Sequence, residues 1–313
     1  MRPLLLCSAL LVACAGGESL PKLASDGTPL VEGFDPPPPP ADAVQIVSPI
    51  LTNIAPGDNI EYCYYSKYIL REKTPFRAGQ GFQAPGGHHV VAYWRADPQP
   101  ETTHPCTEDD MLKMHVLSGG GAEAGNGIIN GLPEGTAFHV PAGAQIILNV
   151  HVLNASPKPI DSQAVVNLYR ADPSLQPISS FYVTGTDLTI PVGESKSYHT
   201  FCPAKYPMKV VRLLGHMHEW GTRSQITITR PTLPPDPVYD KPGSPEFSYN
   251  PPALDFPISA PLQINAGDVI GATCTWKNTT DHALSFPDEM CAAFGYILGS
   301  DPEHGCSDGA WNN

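Results

Sequence analysis

The sequence QIILNVHV at residues 145–152 has the composition of a buried β-strand, and the turn residues PAG at 141–143 lead into it. β-Branched and aliphatic residues over such a length, bounded by Pro and Gly, are typical of a strand rather than a helix. The same kind of stretch recurs on both sides of it. Examples are 59–64 (NIEYCY), 89–94 (HVVAYW), 165–169 (VVNLY), 208–214 (MKVVRLL), 224–229 (SQITIT), 269–276 (VIGATCTW) and 294–298 (FGYIL).

The composition supports an all-β chain of two domains. The chain contains 28 Gly and 36 Pro, which favours short strands joined by turns. Its 313 residues, 41% of them hydrophobic, are too many for one ordinary sandwich. The series of strand-like stretches is interrupted at Ala171-Asp172-Pro173 and begins again after it. We therefore predict two tandem jelly-roll-like β-sandwiches, at 46–172 and 173–313, with one helix over 107–116, where acidic residues occupy the first turn.

The N-terminus is typical of an export signal. Arg2 precedes a short apolar run that ends in LVAC at 11–14, so we assign 1–14 as the signal peptide. We favour lipidation at Cys14 as in a bacterial lipobox; ordinary cleavage in the ACA of 13–15 is the alternative. Residues 15–45 include five consecutive prolines and predict a disordered linker. The expected location is the bacterial cell envelope, with membrane contact only through the lipid anchor, or a fully secreted form.

Cysteine usage and charge narrow the class of protein further. Eight Cys, less the two of the signal region, leave six, and an even number in an exported chain predicts three disulfides. Fifteen pairings are possible, and the count does not choose among them. There is no C-x-x-C pair, which argues against a zinc ribbon. The net charge of −13 argues against nucleic acid as a partner.

The histidines are the residues that point to chemistry. His216 and His218 follow a strand-like run, and residues two apart on a strand share a face, so both imidazoles can reach one ion. Met290 lies between acidic residues and Cys291, which is an unusual place for a core methionine. Each feature taken alone is also compatible with a structural role.

A second group of histidines lies in the N-terminal half. His88 and His89 are adjacent, so they point to opposite faces of a regular strand and can chelate together only at a strand end or a bulge. His151 lies inside the apolar strand quoted first. Imidazole ligands together with a thioether favour copper, because sulfur ligands select Cu(I).

In combination, these motifs resemble the copper type II, ascorbate-dependent monooxygenases, the family that includes peptidylglycine α-hydroxylating monooxygenase and dopamine β-monooxygenase. The resemblance extends from about Cys63 to Cys306. It implies two copper ions per chain. The first would be bound by His88, His89 and His151, and the second by His216, His218 and Met290. It also implies the disulfides Cys63–Cys106, Cys202–Cys306 and Cys274–Cys291.

The resemblance implies a function as well. The copper at His216, His218 and Met290 would bind dioxygen beside a substrate C–H bond, so these three residues are the expected catalytic group. The all-histidine copper would deliver an electron, with ascorbate or another one-electron donor as reductant. The product would be a hydroxylated small organic molecule.

Departures from the family pattern bear on the substrate. Leu214 stands where the peptide-amidating members have the arginine that anchors a substrate carboxylate, and Ala292 and Phe294 replace an Asn and a Tyr. A smaller or more apolar substrate is therefore expected. Two alternatives stay open: a non-catalytic exported copper-binding or storage protein on the same scaffold, and an adhesive β-sandwich with incidental histidines.

Overall fold

The computed structural model describes residues 22–120, 129–185, 187–245, 251–286, 288–299 and 304–311. The strands of the N-terminal half are β1 Ala43–Val47, β2 Leu51–Ile54, β3 Asn59–Ile69, β4 Thr74–Gln83, β5 Gly87–Arg95, β6 Thr102–Pro105, β7 His115–Gly120, β8 Ile129–Gly131, β9 Thr136–Val140, β10 Gln145–Leu153, β11 Ile160–Ser162 and β12 Ala164–Arg170. The helix α1 spans Glu108–Lys113.

The C-terminal half contains β13 Gln176–Gly185, β14 Thr189–Ile190, β15 Ser195–Pro203, β16 Met208–His216, β17 Gly221–Thr229, β18 Asp236–Pro242, β19 Leu254–Asp255, β20 Leu262–Ile264, β21 Val269–Lys277, β22 Leu284–Ser285, β23 Cys291–Leu298, β24 His304–Ser307 and β25 Ala310–Trp311. The predicted all-β class is confirmed. The helix is shorter than predicted because the chain returns to a strand at His115, inside the expected helical stretch.

One long sheet runs through both halves, with a smaller sheet in each half. The strand order along the long sheet is β1-β12-β4-β9-β13-β23-β16-β19. β9 pairs with β13 in parallel, and this pairing joins the two halves. The smaller sheets have the orders β6-β3-β10-β5-β7 and β15-β21-β17-β18. A separate hydrophobic cluster fills each half, around Ile146, Leu148 and Leu168 in the first and around Trp276, Ile226 and Leu213 in the second.

The domain boundary at 172/173 stays a prediction. It falls in the turn before β13.

The expectation of a disordered linker over 15–45 needs correction for its described part. Leu30 and Phe34 are buried against the sheet, where they pack with Val47, Phe82 and Val165. The side chain of Gln163 accepts a hydrogen bond from the backbone of Val31 and donates to the carbonyl of Pro29. The buried side chains of Leu30 and Phe34 pack this segment against the sheet, although its proline content resembles that of a linker. The rest of the linker, the signal peptide and Cys14 lie outside the described residues.

The three disulfides confirm the pairings that the resemblance implies: Cys63–Cys106, Cys202–Cys306 and Cys274–Cys291. Such a set is typical of proteins that fold in an oxidising compartment outside the cytosol. In the described part of the chain, no helix has both the length and the apolar character to span a membrane.

Candidate metal centre

A β-bulge brings His88 and His89 to the same side of the N-terminal sheet. In the pairing of β10 with β5, His151 lies opposite His89, and the next residue, Val152, lies opposite Gly87. His88 is therefore the extra residue of the bulge, which breaks the strict alternation of side chains along the strand. The irregularity that adjacent histidine ligands require is present at the position where the sequence has Gly87-His88-His89.

The three imidazoles meet at their Nδ1 atoms. The distances are 3.1 Å from His88 to His89, 3.2 Å from His88 to His151 and 3.3 Å from His151 to His89. A neutral imidazole has one N–H and one lone pair, so three such nitrogens in mutual contact cannot all be satisfied by hydrogen bonds to one another. Lone pairs that converge in this way are stabilised by a cation placed between them.

The spacing fits a single metal ion. Metal–imidazole bonds of about 2.0–2.1 Å at tetrahedral angles separate neighbouring nitrogens by about 3.3 Å. The observed separations of 3.1–3.3 Å lie close to that value. Within the described ranges, this is the one group of three His, Cys, Asp or Glu side chains close enough to share an ion.

Residues of β3 lie behind two of these histidines, and one of them orients His151 through a hydrogen bond. His151 lies opposite Glu61 in the pairing of β10 with β3, and its Nε2–H donates to the side-chain oxygen of Asn59. Because this bond uses the hydrogen on Nε2, it leaves Nδ1 of His151 with a free lone pair. The Glu61 carboxylate lies 4.0 Å from Nε2 of His89. Oxygen acceptors behind metal-binding histidines commonly set the tautomer in this way.

Gln83, the last residue of β4, connects the two strands that supply the ligands. Its side-chain nitrogen donates to the carbonyls of His89 and His151, each at 3.1 Å. A side chain at Gly87 would collide with Gln83, since an ideal Cβ there lies 2.3 Å from the Cβ of Gln83. Gly87 therefore allows the close approach that positions the bulge.

The surroundings of His89 and His151 lower their pKa values and so favour the neutral imidazole, which is the form that binds metal. Burial, followed by the nearby His88 and His218, lowers the pKa of His151 to about 4. Burial, and then the neighbouring His151 and His88, lower the pKa of His89 well below its usual value; His216 and His218 add to this effect. The two predicted histidine groups thus lie close enough to interact electrostatically.

His216 and His218 form the second group, at the end of β16. Their rings are 5.2 Å apart, centroid to centroid. β16 ends at His216, so His218 belongs to the turn that follows, where the buried carboxylate of Glu289 accepts the backbone N–H groups of His218 and Trp220, each at 2.8 Å. Nδ1 of His218 lies 3.0 Å from the carbonyl oxygen of Asp288. Burial and the neighbouring His218 lower the pKa of His216 to about 3.

Met290 lies on the neighbouring chain segment. It is half-buried and directly precedes Cys291, which begins β23 and is bonded to Cys274. Ala292, two residues after Met290, is the cross-strand partner of His216. The backbone thus brings the Met290 segment beside His216 and His218, and binding of one ion by all three side chains stays a prediction.

Four residues around these sites were absent from the sequence-based prediction: Asn59, Glu61, Gln83 and Glu289. Asn59 and Glu61 are two apart on β3, and only the register of β3 on β10 reveals that they face His151. Gln83 is distant in sequence from both histidines that it contacts. For Glu289, its position next to Met290 was an available signal.

The comparisons with known proteins concern the fold alone. No protein-family model and no curated protein matches the chain. Among solved structures, it is similar to PNGase F, a glycosylasparaginase from Flavobacterium meningosepticum, with 11% identity, a TM-score of 0.40 and coverage of 87% of this chain and 99% of that one. It is also similar to VP54 of PBCV-1, with 8% identity, a TM-score of 0.29 and coverage of 82% and 95%. Structural similarity at this low level says nothing about what the chain binds.

Proposed function

We propose that the protein is a copper-dependent monooxygenase that hydroxylates a C–H bond of a small organic substrate. The observation that supports this most strongly is the convergence of His88, His89 and His151 through their Nδ1 atoms. The pair His216 and His218, with Met290 on the adjoining segment, is the expected second site. A carrier of a single copper ion would need only one of them.

The donor types favour copper over other ions. Three imidazoles alone suit zinc, copper, iron or nickel, whereas an additional thioether favours Cu(I). When bound, copper would supply one-electron redox chemistry and activation of dioxygen. The overall reaction converts C–H to C–OH with one atom of O2; the second atom leaves as water, and ascorbate or a similar donor provides two electrons and two protons.

The residues of the chain have separate tasks in this proposal. Asn59 holds the ring of His151, and Gln83 holds the backbone of His89 and His151, so these residues would keep the ligands in place if a bound copper ion changed its oxidation state. Glu289 holds the turn that contains His218 against the Met290 segment. Three disulfides are consistent with export, and attachment to the cell envelope through a lipid on Cys14 is part of the proposal.

Metal stoichiometry and coupled turnover test the proposal together. We expect two copper ions per chain, X-ray absorption showing one sulfur ligand per two ions, and ascorbate-dependent oxygen consumption matched by hydroxylated product. Met290→Ala should keep the all-histidine ion but lose the sulfur signal and the coupled hydroxylation. His282→Ala, at an exposed histidine, is the matched control. Retention of full activity in the Met290 variant would contradict the assignment.

The storage alternative predicts a different result in the same experiment. A copper-binding protein would bind two ions tightly and never couple oxygen consumption to a product. A chain without tight copper binding would instead support the adhesive alternative.

A further inference from the structure

We infer that Asn154 is a positioning residue. It acts on the all-histidine site, which is formed by His88, His89 and His151. Its hydrogen bonds fix the end of β10 to the turn before β3, and this turn presents Asn59 to the ring of His151. The inference rests on the proposed function, because it concerns one of the two proposed copper sites. It is carried by a comparison of the two halves of the chain.

The two halves repeat one arrangement of strands. The small sheets contain β3-β10-β5-β7 in the first half and β15-β21-β17-β18 in the second. Each half also has a two-stranded sheet, formed by β2 with β11 and by β14 with β22. The strands follow one another in the same order along the chain, so β10 corresponds to β21 and β5 corresponds to β17.

The bulge of the all-histidine site is repeated as well. In the pairing of β21 with β17, Thr275 lies opposite Arg223, and the next residue, Trp276, lies opposite Gly221. This is the pattern described above for β10 and β5, where His151 is the residue before the shift. Thr275 therefore occupies in the second half the position that His151 occupies in the first.

Asn154 directly follows β10 and is completely buried. Its side-chain nitrogen donates to the carbonyls of Ile54 and Lys158, each at 2.8 Å. Its backbone N–H donates to the carbonyl of Asp58 at 2.9 Å, and its own carbonyl accepts the N–H of Gly57 at 2.8 Å. The bonds to Ile54, Asp58 and Gly57 hold the end of β10 against the turn between β2 and β3.

The turn that Asn154 holds leads directly into Asn59, the first residue of β3. Asn59 lies opposite Leu153 in the pairing with β10, and its side-chain oxygen accepts the Nε2–H of His151. Because Asn59 is exposed and lies at the end of its strand, the turn before it sets the position of its backbone. Loss of the Asn154 side chain should therefore let Asn59 move away from His151, and the ring hydrogen can then occupy Nδ1.

Asn278 makes the corresponding bonds in the second half, where it directly follows β21. Its side-chain nitrogen donates to the carbonyls of Ile190 and His282, at 2.9 and 2.8 Å. Its backbone N–H donates to the carbonyl of Glu194 at 2.9 Å. Asn278 is also completely buried. The two asparagines therefore hold equivalent turns.

The comparison separates a structural role from a positioning role. Each asparagine should stabilise its own half to a similar extent, since the bonds are the same. In the second half, Ser195 and Thr275 stand at the positions of Asn59 and His151. Only Asn154 can therefore act on a histidine ligand through the residue that follows its turn.

Copper titration of matched variants tests the inference. In the full chain with His216→Ala and His218→Ala, the all-histidine site is measured alone by competition with a chelator of known affinity. Asn154→Ala should weaken copper binding about tenfold, the lower end of the effect of residues behind a ligand, and Asn278→Ala should leave it unchanged. Urea unfolding should show similar losses of stability in both variants. Equal copper affinities of the two variants would overturn the inference.

Two further measurements test the route through Asn59. In an Asn59→Ala background, Asn154→Ala should cause no further loss of copper affinity, because residues that act through one another are not additive. In the metal-free chain, nitrogen NMR of the imidazole rings should find the hydrogen of His151 on Nε2, and Asn154→Ala should move part of it to Nδ1. Asn278→Ala should not. Additive losses, or an unchanged tautomer, would refute the positioning role and leave the copper site standing.

A milder pair of variants decides the question if Asn154→Ala does not fold. The hydroxyl groups of Ser156 and Thr280 donate to the side-chain oxygens of Asn154 and Asn278, each at 2.7 Å. Ser156→Ala should weaken copper binding, and Thr280→Ala should not. Equal effects of these two substitutions would also overturn the inference. Absence of copper binding by the unmodified chain would instead contradict the proposed function, and the tautomer of His151 would still decide the role of Asn154.

Discussion

At the scale of single residues, the chemistry of the N-terminal site depends on which nitrogen of His151 carries the hydrogen. Asn59 behind the ring fixes it on Nε2, so Nδ1 faces the other two imidazoles with its lone pair. A neutral imidazole released from this bond can place its hydrogen on Nδ1 and so block the ligand position. If this site binds a metal ion, the side chain of Asn59 therefore controls whether Nδ1 of His151 is available as a ligand.

Asn59→Ala should reduce the metal affinity of this site about 10- to 100-fold, the usual effect of losing a partner behind a ligand. Asn59→Asp keeps an oxygen acceptor and should restore most of the affinity. Competition titration with a chelator of known affinity measures both. Asn265→Ala, at an exposed asparagine in the other half, should bind like the unmodified chain. Equal affinities for all four proteins would show that Asn59 does not set the tautomer.

At the scale of elements, strands were easier to predict than the contacts between them. The stretches at 145–152 and 269–276 fall within β10 and β21, because apolar alternation and turn residues are local properties. The bulge at His88 could be foreseen only as a possibility, since it depends on the register of β5 against β10. The segment around Leu30 and Phe34 was wrongly predicted as a linker because its partners on β4 and β12 are remote in sequence.

The carboxylate of Asp110 stabilises the N-terminus of the short helix α1. Asp110 accepts hydrogen bonds from the backbone and hydroxyl of Thr107 in a capping box, and from the hydroxyl of Tyr65. Burial opposes ionisation of Asp110, but hydrogen bonds from Tyr65, Thr107 and His104 outweigh it and lower the pKa to about 2. The pKa of this carboxyl is 3.8 in the unfolded chain and about 2 in the folded one. Its ionisation therefore stabilises the folded state at pH values above 3.8, and this contribution disappears as the pH falls toward 2.

Asp110→Asn should therefore lower the free energy of unfolding at pH 7 by roughly 2 kcal/mol, the linkage energy of such a shift. The difference between the two proteins should shrink between about pH 4 and pH 2, where the native carboxyl also becomes neutral. Urea unfolding at a series of pH values measures it. Asp109→Asn, at an exposed position on the same helix, is the matched control. A difference that stayed constant over that interval would rule out ionisation of Asp110 as its source.

At the scale of the whole molecule, the N-terminal segment from residue 22 to 42 is part of the folded body. Burial of Phe34 removes a large aromatic side chain from water, and the side chain of Gln163 hydrogen-bonds to the backbone of Pro29 and Val31 just before it.

Phe34→Ala should lower the free energy of unfolding by about 3 kcal/mol, within the range for truncation of a buried phenylalanine. Phe201→Ala, at an exposed phenylalanine, should change it little. Urea unfolding with limited proteolysis distinguishes the cases, because the variant should also expose the segment to cleavage. Unchanged stability and unchanged cleavage of the Phe34 variant would restore the original prediction of a linker.

Metal binding should also be visible as a property of the whole fold, because the ligands come from strands that are distant in sequence and meet only in the folded state. A ligand that binds the folded chain alone raises the free energy of unfolding by about 4 kcal/mol at a thousandfold excess over its dissociation constant. Removal of copper from the copper-loaded protein with EDTA should therefore lower the melting temperature. His151→Ala should abolish most of the increase in melting temperature that binding at the site of His88, His89 and His151 provides. His282→Ala should keep it. If the loaded and stripped proteins melt at the same temperature, the three Nδ1 atoms do not form a metal site, and the close contact between them must have another cause.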